Sequence, residues 1–186
     1  MSEFSRSLLA QAAALTVVDT ARSAGLLERP LAVDPGLAEA EKELFFKMFE
    51  QVADRRRRNL HELSSDEVSS LFTFVFARAA EAATNLANRQ PNRFETLGMF
   101  DGKVPLNADE RLVGYFKKLT FPTDCARAYW EWYQRDAESL PLRGTDPILP
   151  LRGTDPILPL FEALKWTFRI SCHIAVEKLE ADGFRF

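Results

Sequence analysis

Residues 64–88 read SSDEVSSLFTFVFARAAEAATNLAN, and the fold class turns on how this stretch is read. Ser64 and Glu67 stand three apart, the spacing of a capping box, in which the serine hydroxyl accepts from a free N–H of the first turn. Asp66 and Glu67 place negative charge where the helix dipole favours it. Phe72, Val75 and Phe76 lead on to Ala79, Ala82 and Ala83 at intervals of three and four, which puts them on one side of a helix. The spacing predicts a helix to about Asn88, closed by Gln90-Pro91. Alanines on that face allow a close helix neighbour or leave room for a ligand, and sequence does not choose between the two.

The same logic extends in both directions. Ser5 to about Ala24 carries Leu8, Leu9, Ala12, Leu15, Val18 and Ala21 or Arg22 at threes and fours, with Gly25 as a stop. Leu8–Val18 resembles the apolar stretch of a secretory signal, but Glu3 before it and Asp19 and Arg22 after it argue for an ordinary helix. Asp34-Pro35 opens a second helix: aspartate accepts from the first turn, and proline has no N–H to leave unsatisfied. Glu39, Glu41 and Glu43 lie early in it and an arginine run late, and the expected end is near Leu63. From 91 to 107 runs an apolar connection with Phe94, Leu97, Met99 and Phe100, expected to pack on the helices. Asn107 or Asp109 opens a short helix to about Leu119. Phe121-Pro122-Thr123-Asp124 reads as a break and a new cap before CARAYWEWYQRDAESL. A last helix is expected from about Pro159 to Ala181, stopped by Gly183.

No alternating apolar pattern of useful length occurs, so no sheet is expected. The chain has 186 residues and 46% hydrophobic residues, 15 of them Phe, enough for one substantial core. The expected fold is all-α: a single domain over residues 1–186, an irregular bundle of about six helices with one Pro/Gly-rich loop.

That loop repeats itself. Residues 140–160 read LPLRGTDPILPLRGTDPILPL, two tandem copies of the nine-residue unit LPLRGTDPI and the start of a third. Pro141, Gly144, Pro150, Gly153 and the Asp-Pro pairs forbid a continuous helix. Two short copies are too few for a solenoid. Loops accept added length at small entropic cost, so a tolerated duplication over 140–158 is the simplest reading, with a proline-rich docking segment as its rival. Asp155-Pro156 is placed to cap the last helix.

Charge and composition exclude some functions. A net charge of −3 is unlike the basic footprint of a nucleic-acid binder. No apolar run approaches the ~20 residues that span a bilayer. Two cysteines, Cys125 and Cys172, form no disulfide framework and read as reduced core residues of a cytoplasmic protein. Arginine outnumbers lysine 17 to 7, a compositional hint of a GC-rich bacterial genome.

Candidate site residues emerge as charges out of place. Arg55–Arg58 point in four directions, at about 100° per residue. With Phe45 at the origin, Phe49, Val52 and Leu63 fall within about 40° and Arg56 at about 20°. Arg56 thus interrupts an apolar stripe, and a buried arginine needs a partner. Asp136 does the same on the face of Cys125, Tyr129, Trp132, Tyr133 and Leu140. The two are expected to meet, directly or across a pocket. The last helix is apolar on two sides, with Leu164, Phe168, Cys172 and Leu179 on one and Trp166, Ile170 and Ile174 on the other, as befits a central helix. Beside Trp166 lie Glu162, Arg169, His173 and Glu177. His173 and Glu177 stand four apart, the spacing of a base with an orienting carboxylate or of half a metal site. The other histidine, His61, falls on the polar face of its helix. There is no HExxH, Cys-x-x-Cys, Walker A loop, G-x-S-x-G or G-x-G-x-x-G.

No cofactor or metal is called for. The leading expectation is a non-enzymatic helical protein that acts through protein contacts, as an adaptor, chaperone-like or regulatory module, with a protein partner or a second copy of itself. The alternative is a binder of a small apolar or anionic ligand in an apolar interhelical pocket, with Arg56 fixing an anionic group and Asp136, Tyr129, Trp132, Trp166, Arg169, His173 and Glu177 as further candidate ligand-binding residues. A third is an enzyme built on His173 and Glu177. Nucleic acid and membrane are not expected partners.

Overall fold

The structure, a computed structural model, describes residues 3–31, 34–57, 64–94, 98–100, 108–139 and 157–186, and extends to side chains except at 3–7, 55–57, 136–139 and 157–158. It is mostly helical, with no strand among the described residues. Six helices occur there: α1 (Glu3–Ser23), α2 (Pro35–Arg57), α3 (Ser65–Ala87), α4 (Glu110–Phe116), α5 (Phe121–Ser139) and α6 (Ile157–Ala181). The duplicated unit, with the proposed Asp155-Pro156 cap, lies outside the described residues up to position 156.

The helix starts follow local chemistry. Ser64 Oγ accepts from the Glu67 N–H at 3.2 Å, and Glu67 Oε1 lies 3.3 Å from that hydroxyl. Asp34 Oδ1 accepts from Gly36 N at 2.7 Å, and Asp109 Oδ1 from Arg111 N at 2.9 Å. One start differs from the expectation. The stretch at Phe121-Pro122 does not break the chain before a helix, because α5 begins at Phe121 itself. Pro122 sits in the first turn, where its missing N–H costs nothing. The Thr120 hydroxyl donates to Asp124 Oδ2 at 2.8 Å and steadies that turn.

Three helices end alike. After α1, Leu26 N donates to Ala21 O and Gly25 N to Arg22 O; after α3, Gln90 N donates to Asn85 O and Arg89 N to Leu86 O; after α6, Phe184 N donates to Leu179 O and Gly183 N to Glu180 O. Each pairing needs a left-handed residue. Gly25 and Gly183 supply it at φ 72° and 100°, while Arg89 adopts φ 54° despite its side chain.

Packing makes a ring. α6 lies against α1 and α3, and α5 closes the other side against the same two. α2 crosses α6 and α3 from outside, and α4 rests on α6, so α6 touches all five other helices. α3 is buried on nearly every side from Val68 to Ala83. Its alanines 79, 80, 82 and 83 have no solvent exposure, as do Ala163 and Ala175 of α6. Small side chains thus let the backbones of the ring approach. The interior is aromatic: Phe76 stacks on Phe116 at 4.3 Å between centroids, and Phe45 meets Phe161 and Phe168 edge-on at 6.1 and 6.3 Å. Phe94 and Met99 of the 91–107 connection are buried with them.

Two helices are rotated from their expected faces. α1 buries Leu9, Ala13, Val17 and Ala21, while Leu8 and Leu15 are exposed. The seam repeats every four residues, with alanine at two of its four positions, and Leu8 and Leu15 stand outside it. α2 buries Leu37, Ala40, Leu44, Phe45, Met48 and Val52 but leaves Phe49 half exposed. Its inner face is centred near Leu44 and Met48, not on Phe45. Helical register then sets position 56 about midway between buried Phe45 and half-exposed Phe49, and position 55 in line with Met48.

Candidate functional site

The residues expected beside Trp166 do gather, along one side of α6. The Arg169 guanidinium lies over the Trp166 ring, 5.1 Å from its centroid. It also reaches across to α2 and grips Glu41 with two bonds, Nε to Oε1 at 2.6 Å and a terminal nitrogen to Oε2 at 3.1 Å. A forked pair of this kind fixes both partners. The hydrogen bond to Glu41 holds the guanidinium above its ordinary range, against the opposing pull of partial burial. The Arg169 guanidinium is thus engaged, and it ties α2 to α6.

One helical turn further on, His173 Nε2 is 3.1 Å from Glu177 Oε1. His173 is buried, and its Nε2 makes no hydrogen bond of good geometry. A base oriented by a carboxylate needs an in-line bond on one ring nitrogen and open access on the other. The four-residue spacing thus brings the two side chains together, without such a bond at Nε2. Among the described residues no group of three or more His, Cys, Asp or Glu side chains could hold a metal ion.

The aromatic face of α5 is interior. Tyr129 and Trp132 are buried, 5.7 Å apart between centroids, with Tyr129 stacked on Tyr133 at 6.2 Å and tilted toward Phe72 of α3 at 5.9 Å. Burial pushes the Tyr129 hydroxyl well above the usual phenol range, and the neighbouring Tyr133 adds to this. Cys125 and Cys172 are fully enclosed free thiols. Burial pushes both far up, with Asp124 adding to the effect at Cys125 and Glu41 at Cys172, so neither supplies a thiolate nucleophile near neutrality. The side chains of Arg56 and Asp136, expected to meet, lie outside the described residues.

One buried charge pair was missed in the sequence. Arg78 and Glu81, three apart on α3, join at 2.9 Å with side chains 9% and 7% exposed. The Arg78 guanidinium also lies 5.2 Å from the Phe74 ring centroid. The signal was present: these are the two charges between Val68 and Thr84, in a helix otherwise apolar or small on every side.

The outer face of α2 has the opposite character. Phe46 and Phe49, one turn apart, are 67% and 50% exposed. Phe49 rests one ring against Phe161 at 5.8 Å. Beside Phe46 an open groove runs between α2 and the segment after α3, lined by Glu39, Ala40, Lys42, Glu43, Pro91 and Asn92. Lys47 fixes the two walls, donating to Phe94 O at 2.9 Å and pairing with Glu43 at 3.2 Å. Glu39 and Lys42 pair at 3.1 Å and both extend into solvent. No helix among the described residues is long and apolar enough to cross a membrane. No protein-family model, no curated protein and no solved structure matches the chain.

Proposed function

We propose that the chain acts by docking onto another protein through the outer face of α2. The observation that carries this reading is the exposure of Phe46 and Phe49 together, one turn apart, beside an open groove whose lining includes Glu39, Lys42 and Glu43. Single exposed apolar residues need no explanation, but an apolar patch rimmed by charge is what an interaction surface is made of. Aromatic rings are the usual anchors of such surfaces. For the small-molecule reading, Arg169 is engaged by Glu41 and Tyr129 and Trp132 fill the interior, while the side chain of Arg56, its anion-fixing residue, lies outside the described residues.

A photo-crosslinking residue in place of Phe46 tests this in cells. It should form a covalent protein adduct that the same residue in place of exposed Glu131 on α5 does not form. Phe49→Ser should suppress that adduct. Equal labelling from positions 46 and 131 would end the proposal.

A further inference from the structure

We infer that the partner at this surface is a second copy of the same chain, with the two α2 helices lying antiparallel about a two-fold axis between Phe46 and Phe49. This rests on the docking reading and adds the occupant. The outward positions of α2 are Pro35, Glu39, Lys42, Phe46, Phe49 and Ala53, and the next in register is 56. Their spacing alternates four and three, the spacing of a helix–helix seam. Glu39, Lys42, Phe46 and Phe49 are exposed, so the seam is unoccupied in the monomer.

Charge decides the direction. In an antiparallel pair Phe46 faces Phe49 of the other copy, Lys42 faces Ala53, and Glu39 faces position 56, an arginine within the run 55–57. The glutamate-bearing half of one helix thus lies along the arginine-bearing end of the other. A parallel pair would set Glu39 on Glu39, Lys42 on Lys42 and the arginine run on itself, and like charges held together at an interface are strongly disfavoured. The arrangement is isologous, the same patch used twice, as a two-fold dimer requires. The groove beside Phe46, with Glu39 and Glu43 in its lining, would then lie along the 49–56 stretch of the second copy's α2. One pair of helices is a small interface, so the dimer should be weak and concentration-dependent.

Sedimentation equilibrium of the purified full chain should show a monomer–dimer equilibrium, and Phe46→Asp should weaken it by at least about tenfold. Cysteine pairing then tests direction. The native thiols are buried, so a mixture of the Lys42→Cys and Ala53→Cys variants should form a disulfide-linked dimer under mild oxidation. Each variant alone should form much less. Efficient crosslinking by Lys42→Cys alone would overturn the antiparallel arrangement. A chain that stays monomeric at its highest soluble concentration would overturn self-pairing. If it then still crosslinks from position 46 to a different protein, the docking reading stands. If it crosslinks to nothing, both fall.

Discussion

α2 and α3 are both 23 residues long, and both carry phenylalanines and charges, yet the structure inverts what those residues do. α3 buries an arginine and a glutamate; α2 exposes two phenylalanines. The side-chain types are the same, and the difference is the number of neighbours. α3 is enclosed by α5, α6 and α2, so it has no outward face on which to place Arg78 and Glu81. α2 covers the ring from one side only, so half of its circumference faces solvent whatever stands there. Charge on an enclosed helix must be paired internally, whereas apolar surface on a covering helix is free to serve a partner.

The largest expected effect breaks the enclosed side of this comparison. Arg78→Ala should remove the 2.9 Å partner of buried Glu81 and cost about 2–3 kcal/mol. Urea unfolding of the variant, with Arg78→Met/Glu81→Leu as its counterpart, checks this. Removing both charges with volume retained should cost far less than removing one. A loss below about 1 kcal/mol for Arg78→Ala would mean that α3 is open to water at this point.

An intermediate effect belongs to the tie between the two environments. The Arg169–Glu41 pair joins the core helix α6 to α2, with side chains 36% and 16% exposed. Partial exposure screens it, so Glu41→Gln should cost roughly 1 kcal/mol. In an Arg169→Met background the same change should do clearly less, since directly contacting residues are not additive. Additive losses would show that the two act separately.

The smallest effect sharpens the outer side. At concentrations where the chain is monomeric, Phe46→Ser should shift stability by no more than about 0.5 kcal/mol. Solvent already surrounds the ring. A loss of several kcal/mol, typical of emptying a buried phenylalanine site, would show that Phe46 is covered by its own chain. It would remove the basis for docking there.

Much of the fold was legible residue by residue. Ser64 with Glu67, Asp34 before Pro35, and Gly25 and Gly183 marked helix ends correctly, because caps and stops satisfy backbone groups within one turn of themselves. The contact of His173 with Glu177 followed from their four-residue spacing, and the burial of the thiols and the α5 aromatics from their apolar faces. The rotation of α1 and α2 was not legible. The apolar spacing fits Leu8, Leu15 and Phe49 as well as it fits the residues that turn inward, among them Ala13 and Val17 of α1 and Leu44 and Met48 of α2. The Arg169–Glu41 tie spans 128 positions in sequence, and no local pattern encodes it.

The sequence by itself determined that this chain is helical, where most helices begin and end, and which residues are neighbours one turn apart. These depend on hydrogen bonds and dihedral preferences that close within a few residues. Only the tertiary structure decided which face of each helix turns inward, that α3 is enclosed while α2 is a cover, and that Arg169 is spent on Glu41. Burial is a property of what lies opposite a residue, and for these helices what lies opposite comes from far along the chain.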